Sequence, residues 1–146
     1  MGLIFLVVHL LASLFMLGVI WFVQIIHYPL FRLIPDDIFG PYEAEHMRLI
    51  LSVVTPMMFV ETLSGFALLF FHWPGNVMNS FLLNLALLFL IWLSTFLLQV
   101  PAHFRLRRKK NEQDLRLLLL SNWLRVLLWS ARSVLLMFVV FQISNL

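Results

Sequence analysis

The chain has no cysteine. Disulfide exchange, thiolate metal sites, reduction through a Cys pair and covalent c-type haem are all excluded, and cysteine usage carries no message about redox compartment. Charge is nearly as scarce: 12% of the 146 residues are Asp, Glu, Lys or Arg, against 62% hydrophobic. A soluble domain is roughly a quarter charged and half apolar. One soluble core of this length could not absorb fifteen Phe and five Trp. Most of that surface must face lipid. The net charge of +3 does not point to nucleic acid, because the basic residues gather in one connection between apolar runs. The first basic residue is Arg32, and the opening apolar run is too long for the h-region of a signal peptide.

Four apolar runs occupy 3–26, 49–71, 77–100 and 117–143. At ~1.5 Å rise per residue each spans a ~30 Å hydrocarbon core as a helix. None alternates polar with apolar as barrel strands do. The expected fold is all-α: one domain, a four-helix transmembrane antiparallel bundle. His72-Trp73-Pro74-Gly75-Asn76 reads as a tight turn between the second and third helices. Asp36, Asp37 or Gly40 could cap a short interfacial helix that runs into the second span, with Pro41 in its first turn.

The connection 104–116 carries Arg105, Arg107, Arg108, Lys109, Lys110 and Arg116, whereas 71–77 has no Lys or Arg. By the positive-inside rule the basic connection is cytoplasmic and both termini are extracytoplasmic, in a cell (inner) membrane. Contact with anionic lipid is a secondary role for that loop.

Polar side chains inside spans are costly and must face the bundle interior. Trp21, Gln24, His27 and Tyr28 share one face of the first helix at helical spacing. Thr95, Gln99 and His103 stack on the third, and Asn122, Arg125, Trp129 and Arg132 form a stripe on the fourth. The second offers His46, a kink at Pro56 and a mid-span Glu61. Gln24, His27, Tyr28, His46, Gln99, His103, Asn122 and Arg125 then converge on the cytoplasmic leaflet. His27, His46 and His103 are candidate metal ligands or acid–base groups, with Gln24, Tyr28, Gln99 and Asn122 supporting a cofactor and Arg125 holding an anion or carbonyl. Imidazoles suit haem iron, copper or zinc. The bland alternative is a set of interfacial His residues bonded to headgroups or carbonyls.

Glu43-x-x-His46 has the i, i+3 spacing of di-iron carboxylate bundles, but one copy is too few for that centre. Glu61 and Arg132 lie at equal depth, so an ion pair is expected, serving either helix register or catalysis. His9 reads as an isolated structural residue. The weak echo between Gln24-x-x-His27-Tyr28-Pro29 and Gln99-Val100-Pro101-Ala102-His103 suggests two related hairpins or coincidence.

The segment 21–31, Tyr42-x-x-x-His46, and Asn122-Trp123-Leu124-Arg125 through Leu128-Trp129-Ser130-Ala131-Arg132 resemble small uncharacterised bacterial four-helix membrane proteins. More distantly, His9, Trp21 and Tyr28-Pro29-Leu30-Phe31 give a layout similar to anthrone-oxygenase-like proteins and HemJ-type protoporphyrinogen oxidases. That resemblance implies a redox-type membrane enzyme handling a flat hydrophobic substrate or a haem. The HemJ-type pattern carries a Lys in a later span, and no apolar run here contains one. The leading reading is therefore a membrane oxidoreductase binding haem or a transition metal and a hydrophobic small molecule. Its rivals are a non-catalytic subunit or assembly factor of a larger membrane complex, and a transporter acting as a homo-oligomer.

Overall fold

The structure is a computed structural model describing residues 1–144; Asn145 and Leu146 lie outside the described residues, and with them the expectation for the C-terminus. Four helices are each long and apolar enough to cross a membrane: α1 (Gly2–Leu33), α2 (Asp36–Leu68), α3 (Gly75–Arg108) and α4 (Glu112–Ser144). No strand occurs among the described residues. Large apolar side chains such as Leu11, Phe22, Phe70, Phe89, Leu127 and Phe138 cover the outside.

Side-chain bonds between α1 and α2 join His9 to Ser64, Ser13 to Glu61 and His27 to His46, one number rising as the other falls. Neighbouring helices pack as α1 on α2, α2 on α3, α3 on α4, and α1 on α4. Three apolar clusters are stacked along the bundle: Phe31, Phe39 and Leu106 at one end, Met16, Ile91 and Trp129 in the middle, and Leu6, Phe81 and Leu136 at the other. Close approach is required where His9 lies on α2. A Cβ at Gly65 would stand 2.8 Å from Leu85 Cδ2 and 2.9 Å from His9 Cε1.

Two helices carry the same interruption. In α1 a π-helical turn covers Val23–His27, and the N–H of Tyr28 donates to the carbonyl of Val23. In α3 the turn covers Thr95–Gln99, and the N–H of Val100 donates to Thr95. Each is followed by proline, Pro29 and Pro101. A proline lacks the N–H for its own helical bond, and its ring clashes with the carbonyl four residues back. Widening the turn by one residue relieves that conflict. The echo between the two segments is thus a shared backbone solution.

The short interfacial helix expected between the first two spans runs into the second without a break. Residues 36–68 form one continuous helix that passes through both Pro41 and Pro56. Pro41 lies within two turns of the start, and the stripe Phe39, Glu43 and His46 buries that end against its neighbours. Pro35 occupies the N-cap without a side-chain cap bond, while Asp36 and Asp37 fall in the first turn, where negative charge complements the helix dipole. The expected caps at Asp36, Asp37 and Gly40 are not used.

Around the second connection, Trp73 Nε1 donates to Leu68 O at 2.9 Å, satisfying a terminal carbonyl of α2. Ahead of α4, Asn111 Oδ1 accepts the N–H of Asp114 at 2.8 Å, a side-chain N-cap. Lys110 ties this connection to the end of α1, reaching Ile34 O at 2.6 Å and Asp36 Oδ1 at 3.0 Å.

Candidate functional site

The end of the bundle carrying the basic connection gathers the polar residues that the sequence singles out. His27 Nε2 and His46 Nδ1 share a hydrogen bond at 2.9 Å, and their rings lie 4.6 Å apart. The ring of His103 stands 5.6 Å from that of His46, and Tyr28 Oη bonds its Nε2 at 3.2 Å. The other nitrogen of His103, Nδ1, is bonded to Glu43 Oε1. Glu43 is fully buried, and its Oε2 has no hydrogen-bond partner among the described residues. One ligand atom from each of Glu43, His46 and His103 lies within 4.8 Å of the others.

The set named from sequence was His27, His46 and His103. The three-residue group the structure assembles contains Glu43 in place of His27, which touches it through His46. Glu43 is noted in the sequence only as half of the Glu43-x-x-His46 spacing and set aside there because a di-iron centre needs a second copy. Its signal was the helical stripe Phe39, Glu43, His46, which turns a carboxylate inward at the same face as an imidazole.

The remaining candidates divide. Gln24 accepts from Asn122 Nδ2 at 2.8 Å, and Arg125 Nη1 donates to Asn122 Oδ1 at 3.4 Å. Gln99 donates to Ser121 Oγ at 2.6 Å. None of Gln24, Gln99 and Asn122 bonds a histidine, so only Tyr28 fills the supporting role expected of the four. Arg125 lies over the Trp129 ring at 5.4 Å, and its Nε is buried without a partner. Trp21 is on the outside and donates to Ser130 Oγ at 3.3 Å. The π-helical turn after it shifts the register, so Trp21 does not share the buried face of Gln24 and Tyr28.

Two spaces adjoin the cluster. A small internal cavity of about 70 Å³ is lined by Tyr28, His46, Gln99, His103 and Arg125, among others. That volume holds about two waters at ~30 Å³ each. A larger cleft of about 630 Å³ opens between α1 and α2, with His27 and His46 in its wall. His46 borders both.

A second polar network lies toward the other end. Arg132 Nη1 donates to Glu61 Oε1 at 2.8 Å, and both side chains are fully buried. Ser13 Oγ donates to the same oxygen at 2.8 Å, and Trp129 Nε1 lies 3.2 Å from each carboxylate oxygen. Asn84 Oδ1 accepts from Arg132 Nε and Nη2, both at 3.2 Å. The expected pair exists. His9, read as isolated, is not: it bonds Ser64 Oγ at 2.9 Å and Asn84 Oδ1 at 3.1 Å.

On the outside of α2, Arg48 Nε and Nη2 donate to the Glu45 carboxylate at 2.9 and 2.5 Å. No family model, curated protein or solved structure matches the chain.

Proposed function

We propose that this chain is an integral membrane protein of four antiparallel spans, with connection 104–116 cytoplasmic and both termini extracytoplasmic. In this reading it is a membrane-embedded oxidoreductase holding a transition-metal ion between Glu43, His46 and His103. The observation that carries it is the orphaned, fully buried Glu43 Oε2 beside two imidazoles. A buried carboxylate oxygen without a donor is costly, and a cation would relieve it.

The donor set fits a single ion. Each ligating imidazole keeps one nitrogen for the metal and has the other engaged: His46 by His27, His103 by Tyr28. Outer partners of this kind fix the tautomer and ring orientation of ligating histidines. Two nitrogens and a carboxylate oxygen suit iron, zinc, manganese or copper. Haem fits less well, since the internal cavity of about 70 Å³ is too small for a porphyrin ring. Such an ion, when bound, supplies Lewis-acid or one-electron redox chemistry.

The chain's own residues would do the rest. Tyr28 holds His103 so that Nδ1 meets Glu43, and His27 holds His46 so that Nε2 is left for a ligand. Arg125 lines the adjoining cavity and supplies a fixed positive charge there. Glu61 and Arg132 serve the helix register, because their polar atoms are satisfied by each other and by Ser13, Asn84 and Trp129.

Metal analysis and an optical spectrum of the purified protein test the reading. Stoichiometric metal that is lost in His46→Ala and His103→Ala but kept in His9→Ala and His72→Ala is the expected result. A colourless, metal-free protein that takes up no added ion contradicts it.

A further inference from the structure

The cleft between α1 and α2 has one polar end. Its walls are apolar along Gly18, Val19, Phe22, Ile50 and Val53, and His27 and His46 close it. Phe22 and Val53 are exposed on the outside of the bundle, so the cleft opens sideways. In a bilayer that mouth faces hydrocarbon. His27 is half-buried, its Nε2 is engaged by His46, and its Nδ1 has no protein partner among the described residues.

We propose that this cleft binds a membrane-soluble phenol or hydroquinone, its hydroxyl on His27 and its apolar body along α1 and α2; this rests on the membrane-embedded reading above. A pure hydrocarbon would leave His27 Nδ1 without a hydrogen-bond partner wherever it displaced water from the cleft, which costs free energy. A fatty carboxylate would bring an anion in front of the buried Glu43, which lies beside His46. A neutral hydroxyl escapes both penalties. It places its head against His27, one hydrogen bond from His46, which borders the proposed metal group. Substrate would reach that group from the lipid without crossing the basic connection.

Gly18 makes the proposal testable without disturbing packing. A Cβ there meets nothing within 4 Å, so a larger side chain has room to enter the cleft that Gly18 lines; Gly75 is equally open at its Cβ and serves as the control. The full chain in lipid nanodiscs is titrated with a labelled long-chain alkylphenol, its methyl ether and a fatty acid of matching length. Saturable binding of the phenol is expected, with the ether, the Gly18→Leu variant and the His27→Phe variant each about tenfold weaker, the order of one lost hydrogen bond or a blocked contact. Gly75→Leu should bind as the unaltered chain does. Equal binding of phenol and ether, tighter binding of the fatty acid, or an unaffected Gly18→Leu overturns the proposal. Metal content is read on the same samples. Metal retained without phenol binding sinks the cleft alone, and phenol binding by metal-free protein sinks the metal centre alone.

Discussion

The two buried polar networks of this bundle differ in what they leave unfinished. Around Glu61 and Arg132, each carboxylate oxygen and each guanidinium nitrogen has a partner, drawn from Ser13, Asn84 and Trp129. Around His46 and His103, Glu43 Oε2, Gln99 Oε1 and Arg125 Nε have none, and two spaces adjoin the group. Buried polar atoms without partners are rare in folded proteins, and each calls for a physical reason. A network that closes on itself stabilises the fold. One that stays open at several atoms is where the proposed ion would sit.

The largest expected effect tests the closed network. Removing one partner of a buried ion pair strands the other, costing about 3–5 kcal/mol. Glu61→Leu and Arg132→Leu should each lower the stability of the protein in detergent by that amount. The double replacement should recover much of it, because apolar side chains of similar volume restore a dry interior. Additive losses, measured by thermal or denaturant unfolding, would mean that the two side chains do not interact.

A smaller effect is expected at the outer partners of the open network. Tyr28→Phe deletes the hydroxyl on His103, and His27→Phe deletes the imidazole on His46. Each should weaken metal binding by about 10–100-fold while leaving one equivalent bound at saturation. Gln24→Ala, whose contact is with Asn122, should leave metal affinity unchanged. Isothermal titration with zinc separates these outcomes. A drop for Gln24→Ala equal to that for Tyr28→Phe would show that the comparison between residues is one of stability only.

The smallest effect is a control that shares no hydrogen bond with either network. Asn111 caps α4 through the N–H of Asp114. Asn111→Ala should cost about 1 kcal/mol in unfolding and nothing in metal affinity. Together the three experiments separate loss of fold from loss of site.

Much of this arrangement was legible in the residues. Apolar runs of the right length announced four helices, and the equal depth of Glu61 and Arg132 announced their bond. The convergence of His27, His46, Tyr28 and His103 followed from helical spacing. Three features were hidden for physical reasons. Glu43 precedes the long apolar run, where a carboxylate is ordinarily solvated, and only its stripe with Phe39 and His46 turns it inward. The partners of His9, Ser64 and Asn84, lie on other helices, and spacing along one chain cannot pair them. The π-helical turns shift the register by one residue ahead of Pro29 and Pro101, which a uniform helical wheel does not represent.

The central claim is that Glu43, His46 and His103 form a metal group while Glu61 and Arg132 form a clamp. A cobalt(II) titration of the metal-free protein, followed by visible absorption, tests it most directly. The account predicts one equivalent bound, with ligand-field bands that are abolished in His103→Ala and Glu43→Gln and unchanged in Glu61→Gln. Absence of bands in the unaltered protein, or bands that survive both Glu43→Gln and His103→Ala, would contradict it.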